Sequence, residues 1–121
     1  MSQLVLLAEK DTDLREELAY ALRRHGYQVM AVSDGLGLSD ILELARLSHG
    51  REPTPDVVVA DAELDGYAGS DICAQLSHEE NPIPFILIPA LYVITRSRAS
   101  RFGKIPVVLS MFAGLVDWDT R

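Results

Sequence analysis

Asp61 is the residue on which chemistry in this chain would turn. It closes the apolar run 57–60 inside PDVVVADAELDG, residues 55–66. An aspartate can serve as a nucleophile when its surroundings help. A second apolar run, Leu4 to Ala8, ends in the polar cluster Glu9, Lys10, Asp11, Thr12 and Asp13. Other chemistry-bearing residues are less promising. His25, His49 and His78 fall in different loops or helix ends with no Cys or acid at ligand spacing, so they predict no metal site. Cys73 lies on the inward face of a predicted helix and reads as inert core. Gly35 and Gly37 lack the third glycine and the context of a dinucleotide fingerprint. The run Arg96, Arg98, Arg101 with Lys104 reads as a solvated face rather than a site for an acidic partner or phosphate.

The elements that must position Asp61 follow from patterning. A short continuous apolar run between turn formers reads as a strand buried on both faces, the habit of parallel sheets. Strands are predicted at 4–8, 27–32, 57–60, 85–88 and 105–109. Asp13 with Glu16 three residues later resembles a capping box opening a first helix, whose Leu14, Leu18, Ala21 and Leu22 repeat at helical spacing and which Gly26 stops. Ser33, Asp34 and Gly35 read as a turn, and a second helix runs from about Leu38 to Ser48. Residues 49–55, HGREPTP, form a loop. A third helix spans about Ser70 to Ser77 with Ile72, Cys73 and Leu76 inward. Residues 89–103 stay open between a β-branched piece, 91–95, and a basic helix, 96–102.

Strands alternating with helices call for an α/β fold, a three-layer doubly wound five-stranded parallel sheet of flavodoxin-like order 2-1-3-4-5. Asp61 then sits at the carboxyl rim of a central strand, where ligands of such sheets collect. After the fifth strand only residues 110–121 remain, so the last helix is expected to be shortened or absent. Phe112, Leu115, Val116 and Trp118 would leave an uncovered apolar strip, expected to mediate association with a second copy or a partner.

Composition bounds the function. The 121 residues suit one domain, 1–121, and 48% hydrophobic with 24% charged content is that of a folded chain. A net charge of −7 argues against direct nucleic acid binding. A single cysteine and no secretory signal point to a reducing cytoplasm. The longest apolar stretch, 83–94, carries two prolines and falls short of the roughly 20 residues that cross a bilayer, so no membrane span is expected.

Taken together, VLLAEKDTDLRE at 5–16, RRHGYQV at 23–29, SDG at 33–35, PDVVVAD at 55–61 and FGKIPVVLSMF at 102–112 resemble the receiver domain of two-component response regulators, across residues 4–112. The resemblance implies that Asp61 is the phosphoacceptor equivalent. It also implies two acids after the first strand that hold magnesium, a hydroxyl after the fourth strand and a lysine after the fifth. By position these become Glu9 and Lys10, Pro89 and Ser110. Three of the five are therefore changed in type. Lys10 replaces a carboxylate by a cation, Pro89 has neither hydroxyl nor N–H to donate, and Ser110 is short and neutral. Met111 stands where the family has a proline after a cis bond, Val107 at the aromatic switch position, and the loop after Asp61 also departs from the family pattern.

The expectation is a degenerate pseudo-receiver, a signalling module without enzymatic activity. It would work through protein–protein contact without a phosphorylation cycle, as part of a larger regulator with an output domain or as a small adaptor or homodimer. No cofactor is expected. Magnesium, on Glu9 and Asp61 if anywhere, belongs to the alternative of an ordinary phosphoacceptor in a phosphorelay. A further alternative is a small-ligand sensor using the rim cleft. With no metal, Glu9 and Asp61 would repel, and Lys10 reads either as an exposed loop lysine or as the cation that pairs with them.

Overall fold

The structure, a computed structural model, describes residues 3–76, 78 and 83–88. Four strands, β1 (Leu4–Ala8), β2 (Gln28–Val32), β3 (Val57–Asp61) and β4 (Phe85–Ile88), form one sheet in the order β2-β1-β3-β4. All three pairings are parallel. This is the expected doubly wound order. The predicted fifth strand and the chain end, with Ser110, Phe112, Leu115, Val116 and Trp118, lie outside the described residues, as does Pro89.

Each central strand sends alternate side chains to opposite layers. Val5 and Leu7 of β1, Val57 and Val59 of β3, and Ile86 and Ile88 of β4 meet Leu14, Leu18 and Leu22 of helix α1 (Thr12–Arg24). Leu6, Ala8, Val58 and Ala60 face the other way. They pack on Leu38 and Leu42 of α2 (Gly35–Leu47) and Ile72 of α3 (Gly69–Leu76). Residues 5–8 and 57–60 are completely buried, which is why their sequence reads as an unbroken apolar run. Fully burying one such leucine is worth about 1.5–3 kcal/mol, so the two-sided core rather than helix propensity holds the layers together. Asp56 fixes the entry to β3. Its backbone N–H donates to the Leu4 carbonyl (2.8 Å) and its Oδ2 accepts from the Leu4 N–H (2.6 Å).

Both helix starts differ from the sequence reading. The cap of α1 is Asp11, whose Oδ1 accepts from the Leu14 N–H (3.0 Å); Asp13, predicted as the cap, is a first-turn acid. The helix α2 starts at Gly35, three residues before the predicted start, because Asp34 is a cap rather than a turn residue: its Oδ1 accepts from the Gly37 N–H (2.8 Å). Gly35 is required there. A Cβ at this position would lie 1.9 Å from the Tyr67 carbonyl oxygen. In α3, Ile72 is buried while Cys73, expected in the core, is only half-buried.

Candidate functional site

The register that pairs Ala8 with Ala60 brings the next residue of each strand, Glu9 and Asp61, together at the carboxyl rim. Both carboxylates are fully buried. Glu9 is held by its backbone: its N–H donates to the Val32 carbonyl (3.1 Å), and Arg15 Nη1 donates to its carbonyl (2.7 Å). Glu9 Oε2 accepts from the Asp11 N–H (2.9 Å), and Asp61 Oδ1 accepts from the Glu63 N–H (2.9 Å). The remaining oxygens, Glu9 Oε1 and Asp61 Oδ2, are buried without a hydrogen-bond partner.

That arrangement is electrostatically demanding. Burial pushes the Glu9 carboxyl up to about 7, against the pull of the Asp11 N–H, and the charge and close approach of Asp61 push it further in the same direction. Glu9 therefore keeps its proton to a higher pH than an ordinary glutamate, and a protonated Glu9 can donate where two carboxylates only repel.

Lys10 does not relieve the pair. It is exposed, and among the described residues no ion pair within 4 Å joins it to Glu9 or Asp61, whereas Glu43 and Arg46 do form one. Glu9 turns inward beyond the end of β1, so the following side chain turns outward, where its compact, strongly hydrated ammonium stays in water. Of the two readings of Lys10 the exposed lysine is the one found, and Lys10→Ala is expected to change unfolding stability by no more than about 0.5 kcal/mol, measured by urea titration. Asp11 is committed as the α1 cap.

The donor set can be tested against the magnesium site that the resemblance implies. Two hard oxygens are free, Glu9 Oε1 and Asp61 Oδ2. The position of the further acid holds an exposed ammonium, and among the described residues no three His, Cys, Asp or Glu side chains gather to hold a metal. The residues present do not fit a site of three carboxylates.

Three contacts at this site escaped the sequence reading. The Glu63 N–H that holds Asp61 and the Arg15 guanidinium on the Glu9 carbonyl leave no sequence signal. Gly69 does, as a glycine opening a helix: a Cβ there would lie 2.1 Å from the Asp61 carbonyl oxygen. A cavity of about 460 Å³ between α2 and α3 is floored by Leu42, Ile72, Leu76 and Ile83, and neither Glu9 nor Asp61 lines it. The rim cleft suggested for a small ligand is thus a different place.

Known proteins resemble the chain in both sequence and fold. It is 32% identical over 117 residues to the transcriptional regulatory protein CseB of Streptomyces coelicolor, covering 97% of this chain and 42% of that protein. Identity to the sensory transduction protein RegX3 of Mycolicibacterium smegmatis is 33%, covering 97% and 43%. The chain thus spans about two fifths of the length of these relatives. In fold it is similar to the phosphorylated cyanobacterial phytochrome response regulator RcpA, with a TM-score of 0.70 and 15% identity over 93% of this chain and 92% of that one. The bacteriophytochrome response regulator AtBRR gives 0.63 at 20% identity, covering 80% and 75%. Residues 5–99 match the family described as the response regulator receiver domain. With its strand order, its buried rim aspartate and this match over most of its length, the chain belongs to the response regulator receiver domain family.

Proposed function

We propose that this receiver domain is a pseudo-receiver, a cytoplasmic signalling module that acts through protein contact and without a phosphorylation cycle. The observation that carries the reading is Lys10, an exposed cation where a metal-binding acid would stand. Phosphoryl transfer depends on positioned cations to neutralise developing charge. Here Pro89 and Ser110 replace the hydroxyl and lysine that the resemblance implies. The domain would need no cofactor and have no enzymatic activity of its own. The chain spans only part of relatives named as transcriptional or DNA-binding regulators, which supports a fused output domain or a protein partner as the recipient of its signal. Its acidic surface does not suit direct contact with nucleic acid.

A second reading, an ordinary phosphoacceptor, is favoured by one observation: Asp61 Oδ2 is free of any hydrogen bond. Intact mass after incubation with magnesium and a small phosphodonor separates the two. The pseudo-receiver is expected to keep its mass unchanged. A gain of one phosphoryl group, lost in Asp61→Asn, would establish the phosphoacceptor instead.

A further inference from the structure

We infer that the outer surface of α2, with the loop packed on its first turn, docks an amphipathic segment of a partner protein whose apolar stripe is interleaved with Lys or Arg. This builds on the reading of the domain as one that works by protein contact, and it names the surface and the partner's chemistry.

Among the described residues, five large apolar side chains are more than half exposed, and four of them gather here: Leu36, Leu44 and Leu47 of α2, and Tyr67 of the loop between β3 and α3. At about 100° per residue, Leu36 and Leu47 align three turns apart, with Leu44 about a sixth of a turn from Leu47. Tyr67 is brought alongside by a close backbone approach. The Gly35 N–H donates to the Asp65 carbonyl (2.8 Å), Gly35 backs directly onto the Tyr67 carbonyl, and the Leu36 side chain sits against Gly66. Such concentration in one strip is what marks an interaction site, whereas single exposed leucines need no explanation.

The far end of the strip has a seat for an anchor. Leu44, Leu47, Ser48, Arg51 and Glu52 border a hollow of about 370 Å³. Its wall is fixed by hydrogen bonds: Ser48 Oγ donates to the Ala45 carbonyl (3.0 Å) and accepts from the Glu52 N–H (3.1 Å), while Arg51 Nε donates to the Ser48 carbonyl (3.0 Å). A preformed hollow loses little entropy when an apolar side chain enters it.

Charge selects the occupant. Asp40 falls on the same helical face between Leu36 and Leu47, and Glu63 and Asp65 precede Tyr67 in its loop; all three acids are exposed and, among the described residues, in no ion pair. A second copy pairing antiparallel on this strip would bring Asp40 of each chain toward the two-fold axis, adding to the repulsion between chains of net charge −7. A partner with Lys or Arg between its apolar anchors gains on both counts. This is recognition of an amphipathic helix by its i, i+3, i+4 and i+7 anchors.

The test titrates the isotope-labelled 121-residue chain with a synthetic peptide of about four helical turns, carrying Leu at those spacings and Lys between them. A peptide with Glu in place of Lys is the control. Expected are saturable NMR shifts confined to residues 36–52 and 63–67 with the Lys peptide and none with the Glu peptide. The affinity should fall at least about tenfold in Leu44→Ser/Leu47→Ser, and fall steeply toward 1 M salt, where screening acts beyond about 3 Å. Asp40→Lys, which leaves the leucines in place, should weaken the Lys peptide as well. Shifts on another face, equal binding of the two peptides, or unchanged binding by both variants would overturn the inference. So would a dimer in light scattering that Leu44→Ser/Leu47→Ser dissolves, since the occupant would then be a second copy. Failure here leaves the phosphorylation-free reading standing, whereas a phosphoryl group on Asp61 removes that reading and leaves the peptide result unaffected.

Discussion

Glu9→Gln is expected to stabilise the domain by about 2–3 kcal/mol at pH 8 and to leave it nearly unchanged below about pH 4.5. Glu9 is buried beside Asp61, and its carboxyl is raised from 4.5 to about 7, chiefly by burial. The sign follows from linkage. Below the unfolded value both states carry the proton and Glu9 contributes nothing. Between about 4.5 and 7 the unfolded chain releases the proton while the folded chain keeps it, so stability falls as pH rises. Above 7 the folded chain holds a charged, poorly solvated carboxylate at a constant cost of about 3 kcal/mol. Glutamine removes that cost. Its amide oxygen can still accept from the Asp11 N–H, and its amide nitrogen can donate to the free Asp61 Oδ2.

Urea unfolding of both proteins from pH 4.5 to 8 checks this, with equal m-values showing that the unfolded state has not changed. The expected signature is a gap that opens with pH and levels off near pH 8. A gap independent of pH would mean that Glutamine acts by packing instead of charge. In an Asp61→Asn background the gap should shrink but persist, because burial, the largest single cause of the shift, remains. The experiment also bears on magnesium. A chain that bound it firmly would be stabilised by it at pH 8, and the advantage of Glu9→Gln would narrow.

How much of this was legible in the sequence depended on whether the cause was local. Strands β1, β3 and β4 were found to the residue or within one: burial on both faces of a parallel sheet demands the unbroken apolar runs of β1 and β3, and the run 85–88 stays apolar although only Ile86 and Ile88 of β4 are buried. The caps were misread because the local grammar is ambiguous. Asp11 and Asp13 both suit a helix start, and Asp34-Gly35 reads as a turn until Gly35 is seen pressed against the Tyr67 backbone, a contact across 32 residues. At the site, Asp61 was identified by its place at a strand end. Whether Lys10 pairs with the acids or stays in water is open in the sequence, because motif alignment gives position along the chain and not the direction in which a side chain leaves it. That Glu9 would be fully buried, and strongly perturbed, depended on the register of β1 with β3, which sequence alone does not supply.

Gly69→Ala is expected to destabilise the domain by about 3 kcal/mol or more, at the upper end of what overpacking costs. Gly69 opens α3, and its backbone lies directly against the carboxyl end of β3. An added Cβ would come 2.1 Å from the Asp61 carbonyl oxygen, 3.1 Å from its carbon and 3.4 Å from Ala62 Cα. All three are backbone atoms. No side-chain rotation can make room, so either α3 moves off the sheet or β3 bends at the residue that carries the carboxylate. The hydrogen bond from the Ser70 N–H to the Ala62 carbonyl (3.3 Å) lies in the path of that shift. Gly26→Ala supplies the contrast. Gly26 has φ +92° with nothing within 4 Å of an added Cβ, so alanine there meets only backbone strain, about 1–2 kcal/mol. Urea unfolding of the two variants separates collision from strain, and the order of their losses is the test. A Gly69→Ala protein as stable as Gly26→Ala would mean that α3 yields freely at its start. If α3 is instead fixed there, the larger loss comes with shifted amide resonances at Ala62 and Glu63. The N–H that holds Asp61 Oδ1 then moves with the helix.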